Sequence, residues 1–322
     1  MPRSNYRRVY VVGAYIPNGG TVMAYHLGRI LERDFGIPAF AVTLGEEGPD
    51  SGTRVYDLRM PAVSLADMER QIGADDILIA NPSFSAHQFG WRLPGVKLCY
   101  VQGFTTFALL DRKFDHYVAV SDFVADFLRS VYSLDVSVIP PFIEFDALPA
   151  VPDRSERPER IVLPYRKGMP EIWDLSFARL REILAARAPH IVLAEPLAGH
   201  GIAHRELLSR IGSVRYLLSL SAAEGFGLVP LEAMALGTCV VGYDAFGGRH
   251  YFRSGENCAV ASYPDIERVA ELLIRAVDSQ AHADALAARG RETATQYSYA
   301  AFRSAWIGEF SKLLGIAPRS DA

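Results

Sequence analysis

Residues 224–237 read Glu-Gly-Phe-Gly-Leu-Val-Pro-Leu-Glu-Ala-Met-Ala-Leu-Gly, and they follow an apolar run at residues 216–220. The apolar run predicts a buried strand, and residues 231–236 predict the helix that follows it. In an open α/β sheet, ligands bind at the carboxyl ends of the strands, so the segment between strand and helix predicts a binding edge. Gly225 and Gly227 allow backbone N–H groups to approach a ligand closely, and the start of a helix favours phosphate.

Two carboxylates belong to this segment, Glu224 at the end of the strand and Glu232 in the first turns of the helix. Carboxylates accept hydrogen bonds, so the pair suits the hydroxyl groups of a sugar. Together with the phosphate-binding turn, they predict a phosphorylated ligand rich in hydroxyl groups, and a nucleotide sugar is such a ligand. The alternative is an ordinary strand–turn–helix unit that carries two solvated acids.

The same residues resemble the signature of the family 4 retaining glycosyltransferases, in which two glutamates are separated by seven residues. This chain has Val229-Pro230 where a proline followed by a variable residue is commoner. The resemblance implies the GT-B fold, with two doubly wound Rossmann-like domains that face a central cleft. It also implies that Glu224 contacts the donor hexose and Glu232 the ribose. The backbone lining the sugar and phosphates is implied to come from Gly225, Phe226, Gly227 and Leu228.

Strand-like and helical runs alternate along the chain, which predicts an α/β fold with parallel sheets. The length of 322 residues is suited to two domains. Residues 146–160 combine prolines and charges without apolar periodicity, and we interpret them as the interdomain linker. We therefore predict an N-terminal acceptor-side domain at 1–150 and a C-terminal donor-binding domain at 151–298. The resemblance also implies that a final helix at 299–322 crosses back to the N-terminal domain.

Composition excludes several classes of function. Lysine and arginine total 33 against 37 acidic residues, for a net charge of −4, which argues against nucleic acid as a partner. Three cysteines without a C-x-x-C pair indicate reduced packing residues in a cytoplasmic protein. The apolar run at 9–14 is too short for a signal peptide or a membrane span. An apolar stripe on the final helix predicts core packing; peripheral membrane contact stays an alternative that the helix's few cations do not support.

Arg166 and Lys167 follow the strand predicted at 161–165, where cations can neutralise a diphosphate. In the resembling family an arginine and a Lys-Gly pair, several residues apart, contact the diphosphate of the donor; here the two cations are adjacent. The sequence has no D-x-D motif, so we expect a metal-independent enzyme without a resident cofactor, whose donor is a substrate. Glu224, Lys167 and Arg166 are the candidate catalytic residues.

The acceptor side is less clearly marked. Gly19-Gly20, at the start of the first helix, resembles the family's glycine loop. Many relatives have a histidine after a strand of the N-terminal domain, but the corresponding strand ends here present Asn81 and Gln102. We predict these two side chains as acceptor-side polar groups. His200-Gly201 lies where family members hold the base through backbone contacts, although a simple loop is an equal alternative.

The expected function is that of a retaining glycosyltransferase that moves a hexose-type sugar from a nucleotide-diphosphate sugar to a hydroxyl group. The acceptor is a saccharide, a lipid-linked glycan or a small metabolite, as in polysaccharide biosynthesis. Two alternatives remain: a non-catalytic GT-B homologue that serves as a partner or scaffold subunit, and a GT-B epimerase or phosphorylase. The sequence leaves the sugar, the base and the oligomeric state open.

Overall fold

The computed structural model describes residues 6–13, 19–44, 60–198 and 201–319. The chain divides into two compact units, one made of Met1–Pro141 with Ala300–Ala322 and the other of Phe142–Tyr299. Both units are built from parallel strands alternating with helices, so the predicted α/β class is confirmed. None of the helices in the described ranges is long and apolar enough to cross a membrane.

The described part of the first unit contains a seven-stranded parallel sheet. Its strands are β1 Arg8–Val12, β2 Ala39–Thr43, β3 Ala62–Ser64, β4 Asp76–Ala80, β5 Val96–Val101, β6 His116–Ala119 and β7 Ser137–Val138. The helices between them are α1 Gly19–Phe35, α2 Leu65–Gln71, α3 Phe89–Arg92 and α4 Asp122–Tyr132. The strand order is β3-β2-β1-β4-β5-β6-β7, which is the order of a Rossmann-type sheet. The order reverses between β1 and β4, where Val9 lies opposite Ile77.

The described part of the second unit contains a six-stranded parallel sheet. Its strands are β8 Ile161–Arg166, β9 Val192–Leu193, β10 Leu197–Ala198, β11 Tyr216–Ser219, β12 Cys239–Tyr243 and β13 Ala259–Ala261. Its helices are α5 Pro170–Arg187, α6 His204–Gly212, α7 Leu228–Ala235, α8 Ile266–Asp278 and α9 Gln280–Thr295. The order is β10-β8-β11-β12-β13, with β9 also paired to β8. The strand order therefore reverses between β8 and β11, and a crevice for ligands is expected at the carboxyl ends of these two strands.

The final helix, α10 Tyr299–Leu314, lies almost wholly in the part of the chain that groups with the first unit. Phe302, Trp306 and Phe310 are buried, as the apolar stripe predicts. The ring of Trp306 meets that of Tyr100 edge to face, with 5.2 Å between centroids. The first unit thus includes a helix from the far end of the chain.

The segment interpreted from sequence as the linker belongs to the second unit, because the chain passes between units at Pro141 and Phe142. Arg157, in that segment, is only 3% exposed and donates hydrogen bonds to the carbonyl oxygens of Leu236 and Val214. Burial and neighbouring cations lower its pKa to about 10, so it still carries a charge at neutral pH. The mixed charged and proline-rich composition thus gave no sign of a buried arginine that ties the segment to the loops before β11 and β12.

Replacement of Trp306 by alanine should loosen the first unit, since truncating a buried tryptophan costs roughly 3–5 kcal/mol. We expect amide hydrogen exchange, followed by mass spectrometry, to accelerate in β4 and β5 more than in β11 and β12. Ser304→Ala, at an exposed position of the same helix, serves as the control. Equal acceleration in both units, or none, would contradict this assignment of α10.

Candidate functional site

The candidate site lies at the carboxyl ends of β8, β11 and β12, the central strands of the second unit. Lys167 follows the last residue of β8, and Glu224 lies in the loop between β11 and α7. The strands are parallel, so the loops after them meet at one edge of the sheet. The edge includes the point between β8 and β11 at which the strand order reverses. The structure thus places residues 224–237 at a strand's carboxyl end, as the sequence analysis predicted.

Both carboxylate oxygens of Glu224 have partners. Lys167 Nζ lies 3.2 Å from Glu224 Oε2, and the hydroxyl of Ser221 donates to Oε1 at 3.0 Å. Burial lowers the pKa of Lys167, but Glu224 together with Tyr165 and Glu232 outweighs burial and leaves that pKa above its ordinary value. Burial also raises the pKa of the neighbouring Tyr165 to about 12. The site therefore presents a charged lysine, a paired carboxylate and a protonated phenol.

The glycine turn after Glu224 has a left-handed residue at its end. Gly227 has φ of 89° and is the N-cap of α7, without a side-chain hydrogen bond to the first turn of the helix. The hydroxyl of Tyr251 donates to the carbonyl oxygen of Gly227 at 2.6 Å. Phe226 is buried against the ring of Tyr251, with 5.1 Å between centroids. The first N–H groups of α7 are thus held beside the turn, where an anion can accept from them.

The loop after β12 packs on the loop that carries Glu224. The N–H of Glu224 donates to the carbonyl of Ala245 at 2.9 Å, and the N–H of Gly247 donates back to the carbonyl of Glu224 at 3.1 Å. A Cβ at Gly247 would lie 2.2 Å from the carbonyl oxygen of Gly225, so no other residue fits without movement of the backbone. The two loops therefore act as one support for Glu224.

Glu232, in α7, is the second carboxylate of the site. Its side chain is 9% exposed, and Oε1 lies 2.9 Å from Nε2 of His204, the first residue of α6. Oε2 is buried and has no hydrogen-bond partner among the described residues. The hydrogen bond to Glu232 raises the pKa of His204, although burial opposes it. This carboxylate oxygen therefore keeps acceptor capacity that no described residue uses.

The two predicted phosphate cations are not together. Arg166 Nη2 lies 2.8 Å from both carboxylate oxygens of Asp174, on α5, and the guanidinium lies over the ring of Trp173. Both side chains of the Arg166–Asp174 pair are exposed. Lys167, one residue on, instead contacts Glu224. The structure thus brings Lys167 to the predicted site and holds Arg166 at the surface of α5.

The residues predicted for the acceptor side lie at the carboxyl ends of strands in the first unit, beside the point where its strand order reverses. Gln102 follows β5 and donates from Nε2 to the carbonyl oxygen of Gly20 at 2.8 Å. Gly19 and Gly20 are the first residues of α1. Asn81 follows β4, and its Oδ1 accepts from the N–H of Ser83 at 2.9 Å, capping a short 3₁₀ helix. Their roles toward an acceptor stay predictions.

Three residues of the site were not found by the sequence analysis: Ser221, His204 and, as a support, Tyr251. Ser221 lies in the same loop as Glu224, three residues before it. The contacts of His204 and Tyr251 join separate elements, so no spacing rule predicts them. The sequence analysis gave His204, the first residue of α6, no role. His200, predicted with Gly201 to hold the base, lies outside the described residues, and the role of Gly201 stays a prediction.

Among the described residues, no group of three or more histidine, cysteine, aspartate or glutamate side chains is arranged to hold a metal ion.

A family model matches part of the second unit. Residues 202–293 match the family model of glycosyl transferases group 1, a segment that contains both glutamates, His204 and most of α9. No curated protein sequence matches the chain significantly. This match and the solved structures of similar fold support a glycosyltransferase with the GT-B fold.

Solved structures show the fold. Anabaena HepE in complex with UDP and glucose has a TM-score of 0.71 at 12% identity, over 95% of this chain and 100% of that one. Sucrose-phosphate synthase from Thermosynechococcus elongatus has a TM-score of 0.67 at 14% identity, over 96% and 99%. A mutant of S. aureus TarM, in complex with fondaparinux, α-GlcNAc-glycerol and UDP, has a TM-score of 0.61 at 15% identity, over 77% of this chain. The alignment spans 57% of the length of TarM.

Alanine at Gly227 should destabilise the second unit, because left-handed backbone costs an L-residue about 1–2 kcal/mol. The new Cβ would also lie 3.1 Å from the hydroxyl of Tyr251. Gly255 is a matched control: its φ is 85°, and a Cβ there meets nothing within 4 Å. We expect Gly227→Ala to lower the free energy of unfolding in urea more than Gly255→Ala does, and Tyr251→Phe to remove part of the difference. Equal losses for the two alanine variants would show that the tyrosine does not hold the turn.

Proposed function

We propose that the protein transfers a hexose-type sugar from a nucleotide-diphosphate sugar to a hydroxyl acceptor, with retention of configuration and without a metal ion. The observation that carries the proposal is the pair of carboxylates at one sheet edge. Glu224 is paired to Lys167, and Glu232 keeps a buried oxygen without a partner among the described residues. The match to glycosyl transferases group 1 covers both.

The donor is proposed to lie along the edge from Glu232 to Glu224. The unpartnered Oε2 of Glu232 would accept from the ribose hydroxyls, since a carboxylate oxygen is an acceptor only. The diphosphate would meet the first N–H groups of α7 and the ammonium of Lys167. The backbone of Gly225 and Phe226 would line the sugar, and Glu224 would orient its hydroxyl groups. The HepE structures, which were solved in complex with UDP and glucose and with UDP-glucose, support a ligand of this class.

When the donor binds, the ammonium of Lys167 would contact both Glu224 and the diphosphate of the donor. Lys167 carries its charge at neutral pH because its pKa is raised by Glu224. The ammonium has three N–H donors, so it can keep one toward the carboxylate and direct another to a phosphate oxygen. Ser221 holds the other oxygen of Glu224, which limits the movement of the carboxylate during this change.

In the proposed reaction, the bond from the anomeric carbon to the leaving phosphate oxygen breaks. A bond from the acceptor oxygen to that carbon forms on the same face of the sugar. The acceptor's proton passes to an oxygen of the departing diphosphate, which serves as the base. The negative charge that develops on the diphosphate is stabilised by Lys167 and by the start of α7, so electrostatic stabilisation is the main catalytic contribution. Arg166 has no part in this scheme while it pairs with Asp174.

The acceptor is proposed to meet the switch point of the first unit. Asn81 and Gln102 follow β4 and β5 there, and Gly19 and Gly20 are the first residues of α1. Amide groups both donate and accept, which suits a hydroxyl-bearing acceptor.

A second candidate function, a non-catalytic partner or scaffold subunit, is favoured by one observation. The predicted acceptor-side groups Asn81 and Gln102 already bond to backbone atoms of their own unit. Slow hydrolysis of UDP-glucose or another common nucleotide sugar by the purified protein would exclude this candidate. No hydrolysis, combined with tight binding of the nucleotide sugar, would favour it.

Lys167→Ala should weaken binding of a nucleoside diphosphate by about 10- to 150-fold, the effect of losing a hydrogen bond to a charged group. Arg166→Ala, at the neighbouring exposed pair, should weaken it by less than about fivefold. Calorimetric titration of UDP, GDP and ADP in EDTA gives both values, with the parent nucleosides as controls for the diphosphate. Binding that appears only with magnesium or manganese would refute the metal-free proposal, and equal effects of the two variants would remove Lys167 from the phosphate site.

Glu224→Gln should reduce turnover of the nucleotide sugar more than binding of the free nucleotide, whereas Glu232→Gln should weaken the nucleotide itself. Each loss is expected to be about 10- to 150-fold in its own step. Binding isotherms for nucleotide and nucleotide sugar, together with hydrolysis rates, separate the two effects. The proposed roles are reversed if Glu224→Gln weakens the free nucleotide and Glu232→Gln does not, and the carboxylates are structural only if neither variant changes anything.

A further inference from the structure

We propose that His204 is a positioning residue for the ribose of the donor: it holds one oxygen of Glu232 so that the other is left for the ribose hydroxyls. The inference rests on the proposed function, in which Glu232 binds the ribose. His204 would not touch the reacting atoms, and its effect would reach the ligand through Glu232.

The contact joins two helices that carry the two residues. His204 is the first residue of α6 and Glu232 lies inside α7, and the two helices pack against each other. The imidazole Nε2 lies 2.9 Å from Glu232 Oε1. The side chain of Glu232 is 9% exposed, whereas that of His204 is 46% exposed. The histidine thus lies between the solvent and a carboxylate that is almost fully buried.

The hydrogen bonding of Glu232 is asymmetric. A carboxylate has acceptor capacity on both oxygens, and a buried one is costly without partners. His204 satisfies Oε1, and Oε2 remains buried without a partner in the described part of the chain. A ribose carries neighbouring hydroxyl groups that donate, which is what the second oxygen lacks. Loss of the histidine would free the carboxylate to rotate, and Oε2 would no longer be fixed.

The surroundings favour a charged histidine. The pKa of His204 is raised, first by its hydrogen bond to Glu232 and also by the negative charge of Glu144, while burial acts in the opposite direction. Glu144 lies in the chain that follows β7, so the imidazole has acidic groups on two separate elements. A hydrogen bond between two charged groups is about twice as strong as a neutral one.

This arrangement makes the strength of the ribose contact depend on pH. Because the pKa of His204 is raised, the charged pair is complete at and below the ordinary histidine pKa. It is lost as the pH rises through the raised value, although a neutral imidazole with a proton on Nε2 still donates weakly. Discrimination in favour of the ribose hydroxyls should therefore fall with rising pH.

The test compares the nucleoside diphosphate that wild type binds most tightly, among UDP, GDP and ADP, with its 2′,3′-dideoxy analogue. Wild type should prefer the ribonucleotide by roughly 10- to 150-fold. His204→Ala should lose most of this preference by weakening the ribonucleotide alone. His204→Gln should retain it, because its amide nitrogen is the same number of bonds from Cα as Nε2. Titration of the phosphate groups cancels in the ratio of the two affinities, so the ratio reports the ribose contact across the pH range.

A matched control is available in the same unit. His190 also makes a histidine–acid contact, with Nε2 2.7 Å from Oδ1 of Asp278, outside the proposed site. His190→Ala should leave the preference for ribose unchanged. In wild type the preference should decrease with rising pH, and in His204→Gln it should be constant.

The outcomes separate this inference from the proposed function. Binding of no nucleoside diphosphate by wild type would overturn both. Binding with an undiminished ribose preference in His204→Ala would overturn only the role of His204. Equal weakening of both ligands in His204→Ala, without rescue by glutamine, would show that the histidine only supports the packing of α6 on α7.

Discussion

The backbone bridge between Glu224 and Phe246 fixes the loop after β11 to the loop after β12, and the remaining geometry of the site depends on it. Ala245 and Phe246 adopt left-handed backbone, with φ of 51° and 61°, a conformation that costs side-chain-bearing residues free energy. The hydrogen bonds between the loops hold this strained segment in place, and Gly247 permits their close approach. Glu224 therefore meets Lys167 from a position that is set before any ligand binds.

The charges of the site form two pairs rather than one positive patch. Lys167 is paired with Glu224 and His204 is hydrogen-bonded to Glu232, and the side chains of the two acids are 18% and 9% exposed, respectively. Burying charges in this way is costly unless they are paired. The pairing leaves one buried oxygen without a partner among the site residues described, Oε2 of Glu232, and the proposed ribose contact rests on it. Arg166, although next to Lys167 in sequence, is paired with Asp174 instead.

Local sequence signals predicted most of the elements, and the exceptions have physical reasons. The strand at 216–220 was predicted from its apolar run, which is typical of a buried strand, and the helix after it from residues 231–236, although α7 begins earlier, at Leu228. Helix α9 gives only a weak apolar stripe in the sequence, because alanines and Gly290 dominate its buried face. Strand β10 is short and lies at the edge of its sheet, where few apolar residues are needed. The buried Arg157 was interpreted as linker because charge usually means exposure.

By itself, the sequence determined the parallel α/β class and the position of the signature segment at a strand's carboxyl end, because these follow from local periodicity and from glycines adjacent in the chain. The tertiary structure alone decided which cation reaches Glu224, which histidine holds Glu232 and which tyrosine supports Gly227. Each of these contacts joins elements far apart in the chain. A side chain's partner across such a distance depends on sheet order and loop packing, which no local spacing encodes.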